Sequence, residues 1–210
     1  PQLEVTGVEA DDVIATLAEK MRRQKNVETV IVTGDLDALQ LVGEKTSVLF
    51  FKKGISETML YDEKAVHARF GLRPDQLIDY KALRGDPSDN IPGVQGIGEK
   101  TASELLQAHE NLEGIFSALE KGEIEAKFAK KLDGQERNAL DAKELVTLVR
   151  KVPLLFRASQ AKIKKPDAKK LEEYFRRYQH LLLSREKGQK ECLPARILPE
   201  VLLPPREQRI

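Results

Sequence analysis

The sequence predicts an α/β front portion carrying a parallel sheet, followed by a helical back portion. Three observations lead there. Thr29-Val30-Ile31-Val32-Thr33 is β-branched throughout with no polar alternation, the pattern of a strand buried on both faces of a parallel sheet. Just before it, Ala10, Val13, Ile14, Leu17, Ala18 and Met21 recur at helical spacing. Beyond residue 90 strand patterns stop and helical ones continue.

The elements follow in order. Leu3-Glu4-Val5 reads as a strand already under way at Pro1. A helix is expected over residues 9–25, ended by Asn26, and a short helix over 35–42 after the buried strand. Val48-Leu49-Phe50-Phe51 and Thr58-Met59-Leu60 flank Lys53-Gly54, as two strands joined by a turn. Asp62 is placed to N-cap a helix through Phe70, and Gly71 to stop it. After Pro74 a helix over 75–83 is expected, then helices over 99–108, 112–119, 135–150 and 167–183. From Ser184 onward, Pro194, Pro199, Pro204 and Pro205 break any periodicity and mark a linker or tail. The expected domains are therefore 1–80, α/β; 81–183, helical; and 184–210, a Pro-rich linker.

Composition narrows the class. With 210 residues, 40% hydrophobic and 33% charged, the chain can bury a core and is not of disordered composition. No apolar run approaches the ~20 residues needed to cross a bilayer, and the start lacks the basic-then-apolar layout of a secretory signal. The single cysteine, Cys192, excludes an internal disulfide and a cysteine-based metal cluster. A cytosolic protein is the plain expectation. Net charge is +1 overall, but residues 1–90 carry 12 basic and 16 acidic side chains, leaving the remainder basic. An acidic front with a basic back suits a metal pocket beside a phosphate-binding surface.

Three acidic clusters stand out: Glu9-Ala10-Asp11-Asp12 at a helix start, Asp35-Leu36-Asp37 after the buried strand, and Asp86-Pro87-Ser88-Asp89 in a loop. Each has an ordinary explanation. Acids complement the dipole of a first helical turn, Asp35 can cap the next helix, and Asp-Pro-Ser-Asp is turn chemistry. Position gives them a second meaning, because open α/β sheets bind ligands beyond the carboxyl ends of their strands, where Asp35 and Asp37 emerge. Carboxylates converging there would repel one another unless cations neutralised them. All-oxygen donors favour magnesium or manganese over zinc.

The sharpest local pattern is Ile91-Pro92-Gly93-Val94-Gln95-Gly96-Ile97-Gly98-Glu99-Lys100-Thr101-Ala102. Gly93, Gly96 and Gly98 allow tight turning and close approach of backbone to a ligand. The helix that follows offers its N-terminal amides to an anion, while Lys100 adds charge and Thr101 a hydroxyl. Val94 and Ile97 are expected to pack inward and stiffen the hairpin. Such a device holds DNA by its phosphates without reading bases. Its carbonyls also offer a place for potassium. A plain Gly-rich helix connection is the alternative.

Together, Gly7-Val8-Glu9-Ala10-Asp11-Asp12-Val13-Ile14, Thr33-Gly34-Asp35-Leu36-Asp37-Ala38-Leu39-Gln40-Leu41 and the run from Asp79-Tyr80-Lys81-Ala82-Leu83-Arg84-Gly85-Asp86 through Asp89-Asn90-Ile91-Pro92-Gly93-Val94 resemble the 5′-nuclease domain of bacterial DNA polymerase I, related to flap endonucleases. The resemblance covers residues 3–183. It implies the later part of a PIN-like, parallel-sheet domain followed by a helix–three-turn–helix (helix-hairpin-helix) subdomain, with residues 91–106 gripping uncleaved duplex. It implies a metal-dependent 5′→3′ exonuclease or flap endonuclease that cuts phosphodiesters near 5′ ends in primer removal and repair.

By the same resemblance, Glu9, Asp11, Asp12 and Asp35 would help hold one Mg²⁺ and Asp37, Asp86 and Asp89 a second, with Mn²⁺ able to substitute. Asp35, Asp37 and Asp86 would be central to catalysis, and Lys81 and Arg84 would contact phosphates. The partner would be duplex DNA with a 5′ flap, nick or end, in the cytoplasm with the nucleoid. No oligomer is indicated, and polymerisation is not expected within the chain. The early strand of such a domain, its metal-binding Asp and a basic arch are expected to precede Pro1. A second expectation is therefore a fragment that holds duplex without cutting it. A third, an aspartate-based phosphatase using Asp35-Leu36-Asp37, leaves the 93–98 hairpin without a use.

Overall fold

The first helix, α1 (Ala10–Arg22), follows Glu9 and carries Asp11 and Asp12 in its first turn and Lys20 and Arg22 in its last, charges matched to the helix dipole. It buries Val13, Ala15, Thr16 and Ala18, so small residues let it lie close to its neighbours. It ends three residues before Lys25; Asn26 takes a left-handed φ of 61°. In a computed structural model, residues 1–53, 57–163 and 165–177 are described. Residues 3–5 form no strand there.

Strand β1 (Thr29–Thr33) pairs parallel with β2 (Thr46–Lys53), which pairs antiparallel with β3 (Glu57–Tyr61), in the order β1-β2-β3. The expected parallel pairing is present, but the expected burial on both faces is not. Ile31 is buried while Val32 is 49% exposed, because among the described residues β1 has a neighbour on one side alone. Between β1 and β2, the expected helix over 35–42 is a 3-10 turn, Asp37–Leu41, with Ala38, Leu39, Gln40 and Leu41 all buried. The turn joining β2 and β3 at Gly54 lies outside the described residues.

Helix α2 (Glu63–Phe70) has the expected caps. Asp62 accepts from the Ala65 amide at 2.8 Å, and Gly71 closes it at φ 68°. The 3-10 turn Pro74–Gln76 leads into α3 (Leu77–Arg84). One core joins α1, the sheet, the 37–41 turn and α2 around Leu39, Val48, Tyr61 and Val66. Another holds α3 with α4 (Glu99–His109), α5 (Leu112–Glu120), α6 (Ala126–Leu132) and α7 (Glu136–Val146) around Leu83, Leu106, Ile115 and Leu132. Phe70 packs against both.

Helix α6 was not expected. It is short and buries Leu132 alone, too little apolar periodicity to register. Helix α7 stops at Val146 rather than 150, because side chains elsewhere take up the chain that follows. Buried Gln40 donates to the Val146 carbonyl at 3.1 Å and accepts from the Leu148 amide at 3.1 Å. Asp12 accepts from the Val149 amide and Thr16 from the Val152 amide. Residues 147–152 thus run as a strap across α1 and the 37–41 turn.

The chain divides into two compact units, Pro1–Phe156 and one starting at Arg157. In the second, α8 (Ala168–Arg177) begins after Asp167, whose Oδ1 accepts from the Lys169 and Lys170 amides. The rest of the helix expected over 167–183, and the 184–210 tail, lie outside the described residues.

Candidate metal centre and nucleic-acid interface

Asp35 leaves the end of β1 with two local ties. Its amide donates to Thr33 Oγ1 at 3.0 Å, and its Oδ1 accepts from the Asp37 amide at 2.8 Å. This Asx-type turn faces Asp37 into the fold at the start of its 3-10 turn.

Asp86 is placed by the loop that closes α3. Gly85, at φ 83°, ends the helix, and Asp86 and Ile91 exchange two backbone bonds of 2.8 Å. Asp86 is 6% exposed. Its Oδ1 accepts from the Ser88 amide and hydroxyl, and its Oδ2 accepts from Lys81 Nζ at 2.6 Å. Burial pushes this carboxyl up, but the Lys81 and Ser88 hydrogen bonds outweigh it and hold the group at about 2.

The same Lys81 ammonium also bonds Asp37 Oδ1. Lys81 is therefore turned onto the acids, with its side chain 15% exposed, and is not a solvated face of α3. Arg84 pairs with Glu99 at 3.0 Å.

Asp37, Asp86 and Asp89 each offer an oxygen within 4.8 Å of the others. The first cluster meets this group through Asp11. Burial raises the Asp11 carboxyl, and the negative charges of Asp35, Glu9, Asp12 and Asp89 raise it further. All seven acids named from sequence thus fall within these two sets, which share Asp89. Asp12 is also occupied otherwise, since its Oδ1 accepts from the Val149 amide at 2.8 Å.

Neighbouring negative charges that raise the Asp11 carboxyl fit a group that brings positive charge. A donor set of oxygens alone fits a hard divalent ion.

The loop after Asp86 runs straight into the hairpin. Gly93 and Gly96 take φ of 61° and 81°, as a turn needing glycine would require. Gly98 differs from expectation. At φ −102° it is an ordinary N-cap of α4, and no atom lies within 4 Å of where a Cβ would stand. Its absent side chain leaves open space at the helix N-terminus rather than permitting a turn.

Val94 and Ile97 are 2% and 4% exposed and support the hairpin from within, so any ligand contact from them is by backbone. Lys100 reaches into solvent with its side chain 90% exposed, and Thr101 is half-buried. Sequence reasoning missed Lys131 of α6, which donates to the Gly96 carbonyl at 2.9 Å. It also missed the hydroxyls of Thr33 and Ser88. Thr-Gly-Asp and Pro-Ser-Asp carry a signal for both, since short hydroxyl side chains beside Asp serve local turns.

The fold and the acid set define a resolvase-like α/β domain joined to a helical domain of the SAM type. Residues 1–71 match the 5′-3′ exonuclease N-terminal resolvase-like domain, and residues 72–169 match the 5′-3′ exonuclease C-terminal SAM fold. The chain belongs to the 5′-3′ exonuclease family.

It is 38% identical over 176 residues to DNA polymerase I of Mycobacterium tuberculosis, a match covering 84% of this chain and 18% of that protein. It is 41% identical over 152 residues to DNA polymerase I of Bacillus subtilis, covering 72% and 17%. The chain thus spans less than a fifth of the length of these relatives. Among solved structures, the bacteriophage T5 flap endonuclease in a complex with DNA and metal ions superposes with a TM-score of 0.60 at 25% identity, covering 71% of this chain and 53% of that one.

Proposed function

We propose that this chain is the 5′→3′ exonuclease, or flap endonuclease, portion of a DNA polymerase I, hydrolysing DNA phosphodiesters near 5′ ends or flaps in primer removal and repair. One observation carries this: Asp37, Asp86 and Asp89 converge on a loop continuous with the 93–98 hairpin, while Asp11 and Asp35 join them electrostatically. The T5 flap endonuclease bound to DNA and metal ions, similar in fold and in sequence, supports it.

Asp37, Asp86 and Asp89 would hold one Mg²⁺, and Asp11 and Asp35, with Glu9 and Asp12, a second; Mn²⁺ would serve as well. Bound there, such ions would supply an activated water and charge stabilisation for displacement at phosphorus. The chain's own residues do the placing. Ser88 and the Asp86–Ile91 backbone pair fix Asp86, and Thr33 and the Asp37 amide fix Asp35.

The hairpin backbone, the open α4 N-terminus at Gly98 and the ammonium of Lys100 would hold the duplex by its phosphates. Potassium in the hairpin would share its carbonyls with Lys131, which already donates to Gly96. A cytoplasmic, nucleoid-associated location follows from this substrate.

The test is a labelled duplex with a 5′ flap, incubated with the chain and Mg²⁺. Release of short 5′ products, lost on chelation and lost in Asp35→Asn, is the expected result. A cleavage rate unchanged in Asp35→Asn would refute the site. Retained duplex binding with no cleavage by the wild type would make the chain a DNA-holding module.

A further inference from the structure

We infer that the Lys81 ammonium and a divalent ion exchange for the same Asp37–Asp86 oxygens, so that this ion binds fully when a phosphate draws Lys81 away. The inference rests on the metal-dependent reading above and adds its regulation. Lys81 Nζ bonds Asp37 Oδ1 and lies 2.6 Å from Asp86 Oδ2. The three side chains are 15%, 16% and 8% exposed, so water screens the contact poorly. These two acids are also two of the three whose oxygens approach within 4.8 Å.

A magnesium-sized ion takes its oxygens at about 2.0–2.1 Å, using the lone pairs that the ammonium now occupies. An ammonium left in place would also repel the ion at short range. One cation at a time is the stable arrangement, and without metal Lys81 is that cation.

Lysine suits the exchange. Its charge is a compact point on a flexible four-carbon stem, and the strongly hydrated ammonium leaves without breaking a bidentate fork. Lys81 sits on α3 one turn before Gly85, at the start of the loop leading to the hairpin. Because Gly85 packs against Gly93, a duplex held at 93–98 would bring phosphates near the end of α3 that carries Lys81. Linkage makes the effect reciprocal: DNA tightens binding of this ion, and the ion tightens DNA.

Mn²⁺ binding, followed by paramagnetic resonance of the free ion, tests this on the whole chain. Wild type and Lys81→Met would be compared with and without a flap duplex carrying phosphorothioate linkages to resist cleavage. In wild type a weaker Mn²⁺ site should tighten when duplex is added. In Lys81→Met that site should be tighter by about 10-fold or more without DNA, and insensitive to duplex.

Two Mn²⁺ ions bound by both proteins, with the weaker unchanged or weakened in Lys81→Met, would overturn the exchange and leave the metal site standing. No Mn²⁺ bound by either protein would overturn both. Acetylation of lysines in the wild type, read by mass spectrometry, is a check needing no variant. Saturating Mn²⁺ should expose Lys81 to the reagent while exposed Lys100 reacts as before. Continued protection of Lys81 would also refute the exchange.

Discussion

Gly85 and Gly93 lie backbone against backbone. A Cβ on Gly93 would stand 2.2 Å from the Gly85 nitrogen, and one on Gly85 would stand 2.7 Å from the carbonyl oxygens of Ile91 and Pro92. Both residues also have positive φ, 83° and 61°. This contact closes the loop that presents Asp86 and Asp89, and it starts the hairpin. One pair of glycines therefore serves the acid site and the candidate DNA grip together.

Gly93→Ala should accordingly destabilise the fold by about 2–4 kcal/mol, from backbone strain and a collision with atoms that cannot swing aside. Gly98→Ala is the contrast. With φ −102° and open space around its Cβ position, it should alter stability by less than about 0.5 kcal/mol while weakening duplex binding at the α4 N-terminus. Urea unfolding and a fluorescence anisotropy titration with duplex check the pair. Equal stability losses in the two variants would show that the glycine contact is not decisive.

Gln40 should matter more for stability than a polar residue usually does. It is 5% exposed and serves both the Val146 carbonyl and the Leu148 amide. Gln40→Ala leaves two backbone groups without partners where water enters poorly, at a cost of about 2–3 kcal/mol. Amide exchange should rise first at Leu148 and Val149, the latter held by Asp12. Unchanged protection of these amides would show that the strap does not depend on Gln40.

Features fixed by local chemistry were readable from sequence. The Asp62 cap and the Gly71 stop require no distant partner, and both stand where expected. The three acidic motifs were visible as motifs, and the structure brings their carboxylates into two sets linked by Asp89. Features decided by tertiary order were not readable. Exposure of Val32 depends on which strand flanks β1, and the early end of α7 depends on Gln40, 106 residues away. The family resemblance implies a phosphate contact for Lys81, but nothing in its sequence neighbours reveals its bond to Asp37 across the fold.

Acid should remove a stabilising term contributed by Asp86. Its folded-state pKa, about 2, lies below the ordinary carboxylate value of 3.8. A depressed carboxylate contributes stability above its unfolded pKa and loses it as pH falls through the folded one. The window is thus about pH 4 down to pH 2, and the contribution is about 2 kcal/mol at neutral pH. In chelator, wild type should lose stability relative to Asp86→Asn across that window, by denaturant titration at successive pH values. A gap between the two that stays constant from pH 6 to pH 2 would contradict the Lys81 and Ser88 contacts.

Asp11 should behave in the opposite sense. Burial and then the charges of Asp35, Glu9, Asp12 and Asp89 raise its pKa, so in the metal-free chain its ionised form strains the fold. A raised carboxylate destabilises above its folded pKa and is relieved on protonation. Asp11→Asn should therefore raise the thermal midpoint in chelator at neutral pH. Added Mg²⁺ should stabilise wild type by mass action, as any ligand of the folded state does, and stabilise Asp11→Asn much less. The two melting curves should then cross as Mg²⁺ rises, the variant being more stable without the ion and less stable with it. An acid kept for structure alone would instead make the variant less stable in both conditions.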